Sequence, residues 1–303
     1  MNRKLHILLL FITTLIWGST FVAQRIGADY VGPWTYLAGR SWIAVVFLTP
    51  LIHIFDRINE ARGLDTRRPA TPRDRRILLI GGICCGASLC LASAAQQIGI
   101  ASTTASKAGF ITALYVIFVP VFSVFLKKRP PVKIWFCTGI ALVGMYLLCM
   151  KAESFRLESG DAWELTCAFL FAVEIMFVDY FSPQVNGIRL SRLQFLVFAL
   201  MSTVMMLFSE QPDLADLRSA LPSILYAGVF SSGIAYTLQI IGQEGVNPSL
   251  ASLIMSLESV FSAMTAWLVL RERMSARELL GAVVMFVAII LAQLSPSSLR
   301  RKN

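Results

Sequence analysis

Ten apolar runs follow one another along this chain of 303 residues, and each can form a helix that crosses the roughly 30 Å of hydrocarbon in a bilayer. The gaps between the runs are too short to fold as separate soluble domains. The pattern predicts an all-α polytopic membrane protein with ten transmembrane helices. The predicted spans lie at about 5–24, 33–54, 77–97, 104–126, 132–150, 160–181, 193–209, 221–241, 247–270 and 278–294.

Charged residues are scarce and unevenly placed. They make up 15% of the chain, against about 25% in soluble domains. Lysine and arginine concentrate in alternate gaps, with seven arginines between Arg57 and Arg76, although the basic segment 271–278 departs from this alternation. Because basic loops remain on the cytoplasmic side, both termini are predicted to be cytoplasmic. The gap 57–76 is interpreted as a topology anchor at anionic lipid, and no nucleic-acid partner is expected.

Cysteine and histidine placement argues against a metal centre. All six cysteines fall inside apolar spans without a C-x-x-C pair, and the two histidines sit near span ends, far apart in sequence. No metal site, disulfide or cofactor is therefore predicted. The chain also lacks a G-x-x-x-x-G-K-[ST] nucleotide loop, so a proton or substrate gradient is the expected energy source, with a passive facilitator as the alternative.

The two halves of the chain, residues 5–150 and 157–296, resemble each other. Five spans in each half is an odd number, so the second half must enter the membrane from the opposite side. An inverted repeat of this kind points to a secondary transporter whose substrate site lies near the midplane, between the halves. An offset of 143 pairs Gly99 with Gly242, Gln96 with Gln239 and Tyr115 with Glu258, and an offset of 154 pairs Trp17-Gly18 with Phe171-Ala172 and Arg40 with Gln194.

Four segments also carry a family resemblance: LIWGSTFVAQR, YLAGRSWIAVVFL, GFITALYVIFVPVFSVFLKKRP and SLESVFSAMTAWLVLRER. They resemble the EamA repeats of the ten-helix type in the drug/metabolite transporter superfamily. That resemblance implies two inverted five-helix repeats in a bacterial inner membrane, cytoplasmic termini, and export of amino acids or other small metabolites. The family often has S-L-E-P in the ninth span, whereas Ser259 follows Glu258 here. Pro120 is thus the candidate hinge, in span four.

Glu258 is the sharpest candidate for a functional side chain. It lies about eleven residues into the ninth span, close to the midplane. Polar groups at this depth usually face the interior of a helical bundle. Glu258 is interpreted either as a site for a substrate amine or a proton, or as a neutral acid hydrogen-bonded between helices. Tyr115, at the repeat-related position, is expected at the same level, where it meets a substrate or fills space.

Three other embedded charges are candidates. Glu174 in span six is either a coupling residue or a buried, partnered acid. Arg40 and Lys107 either attract a substrate anion or extend to the interface, and for Arg40 a hydrogen bond that locks two helices is favoured over substrate contact.

Small and hydroxyl residues form the remaining candidates. Gly18 is predicted to allow close helix packing, because a bulky aromatic precedes a small residue in both repeats. Ser19 and Thr20 are candidates for a cavity wall, and Gly233 is a candidate for close packing or for a hinge in span eight.

The leading hypothesis is a secondary transporter, or permease, that exports amino acids or related compounds by alternating access. Its expected partners are a small-molecule substrate, the bilayer and, in the proton-coupled case, protons; it is expected to be a monomer or a homodimer. A multidrug or nucleotide-sugar carrier is the alternative, although the only span-embedded cations are Arg40 and Lys107. The sequence contains no motif of a membrane-embedded transferase, so an enzyme is not expected. A non-transporting scaffold or sensor is disfavoured, because no soluble signalling domain is attached to the spans.

Overall fold

The computed structural model describes residues 2–61, 63, 69, 71–102, 105–127, 130–149, 159–270 and 275–293, and within them it contains helices and no strand. The helices are α1 (Arg3–Ala28), α2 (Pro33–Ala61), α3 (Pro72–Ser102), α4 (Ala105–Thr112), α5 (Tyr115–Phe125), α6 (Val132–Cys149), α7 (Ser159–Phe181), α8 (Gly187–Ser209), α9 (Leu214–Tyr226), a π-helix (Ala227–Ala235), α10 (Tyr236–Glu244), α11 (Pro248–Met255), α12 (Glu258–Leu270) and α13 (Ala276–Gln293).

These helices form the ten predicted spans. Nine segments of the described residues are long and apolar enough to cross a membrane. The remaining predicted span, at 247–270, is not one of these nine, because it is divided between two short helices, α11 and α12. Several helices run past the predicted limits, because α2 continues to Ala61 and span eight begins at Leu214. The predicted all-α polytopic membrane fold is confirmed. We call the end of the bundle where α1 begins the near face, and the opposite end the far face.

Spans four and nine are each interrupted at repeat-related positions. Short turns replace the helical pattern there: Leu114 N donates to Ile111 O at 3.1 Å, and Leu257 N donates to Ile254 O at 3.1 Å. The two interruptions are therefore 143 residues apart, as the repeat predicts.

Pro120 is not where span four breaks, because α5 continues through it. Its ring removes one backbone donor, and α5 tolerates that loss. The ninth span breaks without any proline.

Glycine contacts reveal the same inverted symmetry in three dimensions. A Cβ added at Gly99 would lie 2.6 Å from Glu164 Oε1, and one added at Gly242 would lie 2.8 Å from Leu10 Cγ. The two glycines are 143 residues apart and their neighbours 154, so both repeats pack their third span against the first span of the other repeat in the same way. The two inverted five-helix repeats are thereby confirmed. The predicted limits at 150, 157 and 296 fall outside the described residues.

The repeats are also joined along α2 and α8, the second span of each. At the far face, Glu210 accepts hydrogen bonds from the backbone N–H groups of Trp34 and Thr35, both at 2.8 Å. At the near face, Arg189 Nη2 and Asp56 Oδ2 form an ion pair at 2.5 Å. A carboxylate at a helix N-terminus and a partly buried ion pair both favour this alignment. The pair α2–α8 is thus fixed at both ends.

Candidate functional site

A cavity lies between the two repeats. Each repeat contributes seven of the lining residues. The first gives Trp17, Thr20, Phe21, Gln24, Arg40, Gln96 and Tyr115, and the second gives Phe171, Glu174, Ile175, Ser231, Tyr236, Gln239 and Glu258. The wall combines aromatic rings with a few polar groups, as small-molecule sites usually do. Its position between the repeats is the one that the inverted symmetry predicts.

Tyr115 and Glu258 meet at the point where the two broken spans cross. Each is the first residue of the half-helix that follows a break, so the breaks set both side chains at one level. Tyr115 Oη donates to Glu258 Oε1 at 2.9 Å, and Glu258 is only 6% exposed. The structure brings together the two residues that the repeat pairing placed opposite each other.

Glu174 lies in the same wall and is partnered by an amide. Gln239 Nε2 donates to Glu174 Oε2 at 3.0 Å, and no hydrogen bond from the described part of the chain reaches Glu174 Oε1. The repeat-related residues, Thr20 and Gln96, also line the cavity. Thr20 Oγ1 itself donates to Ile16 O at 2.7 Å within α1. At related positions of the cavity wall, the first repeat therefore contributes a hydroxyl and an amide, and the second repeat contributes a carboxyl and an amide.

Arg40 is a buried cation that lacks an acidic partner among the described residues. Its Nε donates to Ser232 Oγ and its Nη2 donates to Ser231 Oγ, each at 3.0 Å, while the residue is 3% exposed. Both serines lie on the π-helix, and wide turns of this type often occur at functional sites. Arg40 thus connects spans two and eight and also faces the cavity. A buried cation held only by neutral groups favours binding of an anion.

Tyr236 lies in the cavity wall among the charged groups. Its ring lies 4.7 Å from that of Trp17, centroid to centroid. It lines the cavity together with Arg40, Glu174 and Glu258. One cation and two carboxyl groups are therefore gathered around a single aromatic residue.

Three of the remaining candidates pack helices together. A Cβ at Gly18 would lie 2.7 Å from the Phe261 backbone carbon, so α1 and α12 approach closely there. Ser19 Oγ is 2.6 Å from Tyr226 Oη and is not part of the cavity wall. Gly233 lies in the π-helix, where an added Cβ would be 2.6 Å from Phe47 Cδ1. The side chain of Lys107 lies outside the described part of the structure.

The cavity contains residues that the sequence had assigned to span ends. Gln24, Gln96 and Gln239 lie within three residues of the ends of the predicted spans, and all three line the wall. Pairing of Gln96 with Gln239 across the repeats was the signal that could have identified two of them. A further buried acid, Glu164, had not been singled out at all.

Comparison with known proteins agrees with this architecture. The model of the EamA-like transporter family matches residues 4–150 and again residues 158–294. The chain belongs to the EamA-like transporter family. It is therefore a multi-pass membrane transporter, which implies a small-molecule substrate and a surrounding lipid bilayer.

Individual relatives of this EamA protein extend over most of its length. It is similar to an uncharacterized transporter of Archaeoglobus fulgidus, with 28% identity over 94% of this chain and 84% of the relative. It is also similar to the uncharacterized transporter YwfM of Bacillus subtilis, with 23% identity over 98% of this chain and 96% of the relative. A protein of known crystal structure shares the fold, with a TM-score of 0.77, 18% identity, and 97% and 98% of the two chains covered.

Proposed function

We propose that this EamA-family protein is a secondary transporter that exports amino acids or related small compounds from the cytoplasm by alternating access. The observation that carries this proposal is the central cavity, where Arg40, which has no acidic partner among the described residues, faces the same space as Glu258 and Glu174. The groups are complementary to a zwitterion.

The recognition follows from ordinary charge pairing. A guanidinium binds a carboxylate through two parallel hydrogen bonds, and the Ser231 and Ser232 hydroxyls can be exchanged for a substrate carboxylate. The substrate ammonium then pairs with the acids on the opposite wall. Glu174 Oε1 is available for that contact, since it has no hydrogen-bond partner. A carrier of nucleotide sugars would need more cations than Arg40, the one cation among the described residues of this wall.

Alternating access would come from the two broken spans. On the near side of the breaks, α5 and α11 belong to one hydrophobic cluster, in which Val116, Val119, Leu250 and Leu253 are fully buried. On the far side, the cavity wall extends toward the ends of α1 and α3 at Gln24 and Gln96. In this conformation the cavity is thus closed toward the near face, and separation of α5 from α11 would open it there.

The arrangement of basic residues supports the orientation of this cycle. Lysine and arginine concentrate in the gaps of the near face, including the arginines at 57–76. By the positive-inside rule, the near face and both termini are cytoplasmic, and the protein lies in the cytoplasmic membrane. A proton or substrate gradient would drive export, and Glu258 is the proposed coupling residue.

The experiment is solute counterflow in proteoliposomes with amino acids, sugars and cationic dyes, with and without a pH gradient. We expect counterflow of amino acids by the wild type and its loss in Arg40→Gln. Arg218→Gln is the matched control, because Arg218 is an exposed arginine near the far face. Movement of sugars or dyes without amino acids would refute the substrate class, and movement of no solute would refute transport.

A further inference from the structure

Glu164 is a buried acid that lies outside the cavity wall. It sits on α7, close to the far face, and its side chain is 0% exposed. Thr112 Oγ1 donates to Glu164 Oε2 at 2.6 Å, and Glu164 Oε1 has no hydrogen-bond partner among the residues that the structure describes. An ionised carboxylate is costly in such a place unless a cation or several donors compensate it. A single hydroxyl donor does not compensate a buried carboxylate, so this environment favours the neutral carboxylic acid.

The partner of Glu164 places it at the break in span four. Thr112 is the last residue of α4, and Tyr115 is the first residue of α5. Thr112 bonds to Glu164, and Tyr115 bonds to Glu258. Two acids of the second repeat therefore hold the two sides of the same break in the first repeat.

The inverted repeat shows that packing alone does not require this acid. The offsets of 154 and 143 relate Glu164 to Leu10 and Thr112 to Met255, and both of these residues are fully buried in the hydrophobic core. Leu10 contacts Gly242 just as Glu164 contacts Gly99. The same helix crossing is thus built with apolar side chains at the near face and with a carboxyl–hydroxyl pair at the far face.

Among the side chains that the structure describes, none forms an ion pair with Glu164. Asp161 and Cys167 each lie one helical turn from Glu164 on α7, and Cys167 is also within electrostatic range of Glu258 on α12. From α3 it meets the backbone at Gly99, and the guanidinium of Arg25 bonds the next carbonyl, at Ile100, at 3.4 Å.

We propose that Glu164 is a second proton-binding site, separate from the substrate cavity, that controls the half-helix α4. Protonated, Glu164 accepts the Thr112 hydrogen bond and holds α4 against α7. When it loses its proton to water, the carboxylate requires hydration, and α4 separates from α7 on the far side of the cavity. This inference deepens the proposed function, on which its meaning for coupling rests, by adding a proton-binding site on the far side of the cavity.

The proton can be observed directly by infrared spectroscopy of the full-length protein in lipid. We expect a protonated-carboxyl band that disappears in Glu164→Gln and persists in Glu258→Gln. Glu164→Leu, which copies the repeat-related residue, should also lack the band. If the wild type at neutral pH shows no band that Glu164→Gln removes, Glu164 is ionised and the proposal is wrong.

The separation of α4 from α7 is tested by hydrogen exchange of the α4 backbone as a function of pH, with the α11 backbone as the internal reference. In the wild type, protection of α4 relative to α11 should fall as pH rises. In Glu164→Gln and Glu164→Leu that relative protection should become independent of pH. An identical pH profile in the wild type and Glu164→Gln would overturn the proposal. Neither measurement needs a substrate, so this result is separate from the outcome of amino-acid counterflow.

Discussion

Gly18 is the position where a single methyl group should most disturb the contact between the repeats. In Gly18→Ala, the new Cβ would lie 2.7 Å from the backbone carbon of Phe261 and 2.7 Å from the backbone nitrogen of Ser262. Backbone atoms cannot rotate away as a flexible side chain can, so α1 and α12 must separate. Overpacking of this kind costs about 1–3 kcal/mol.

Gly139→Ala is a matched control, because Gly139 is also inside a transmembrane helix and an added Cβ there meets nothing within 4 Å. Both variants gain about 1 kcal/mol of helix propensity, which cancels when they are compared. The difference between them is therefore the overlap at Phe261, about 1–3 kcal/mol.

The assay is the apparent melting temperature of the purified protein in detergent, followed by tryptophan fluorescence. We expect Gly139→Ala to melt at or above the wild-type temperature and Gly18→Ala to melt below it. If the two variants melt together, α1 and α12 do not approach as described, and the close-packing role of Gly18 is refuted.

Three further changes test the polar contacts. Glu258→Gln should abolish proton-driven transport and spare exchange, and unchanged proton-driven flux would remove Glu258 from the coupling mechanism. Tyr115→Phe should reduce transport without preventing insertion, because it leaves the buried Glu258 without its donor at a cost of about 1–3 kcal/mol; wild-type flux in this variant would contradict a role for the contact. Asp56→Asn should lower the melting temperature, since it removes the charge paired with Arg189 at 2.5 Å, and the effect should diminish in a double variant with Arg189→Gln.

Much of the fold follows from hydrophobic length and from the internal repeat. Apolar runs of membrane-spanning length predict the ten spans, and an odd number of spans per repeat predicts their inversion. The pairing of Tyr115 with Glu258 placed both at one level, and the structure joins them by a hydrogen bond. Symmetry carried this inference, because it relates residues that are far apart in sequence.

Other features depend on tertiary contacts that a linear pattern does not contain. The breaks at 113–114 and 256–257 occur without proline inside the turns, so helix-breaking residues did not indicate them. Arg40 was expected to lock helices, but its partners lie about 190 residues away on the π-helix. Glu164 falls near a span end, and its burial arises from the close approach of Gly99 on α3. The sequence does offer one signal of this burial: the repeat-related residue, Leu10, is apolar.

We propose above that Arg40 binds the carboxylate of a zwitterionic substrate inside the cavity. The most direct measurement compares proteoliposome counterflow of an amino acid with that of the corresponding amine, which lacks the carboxylate, in the wild type and in Arg40→Gln. We expect the wild type to favour the amino acid by about tenfold or more, since a charged hydrogen bond contributes about 1.5–3 kcal/mol, and we expect Arg40→Gln to lose that preference. Equal preference for the amino acid in both proteins would show that Arg40 does not bind the substrate carboxylate.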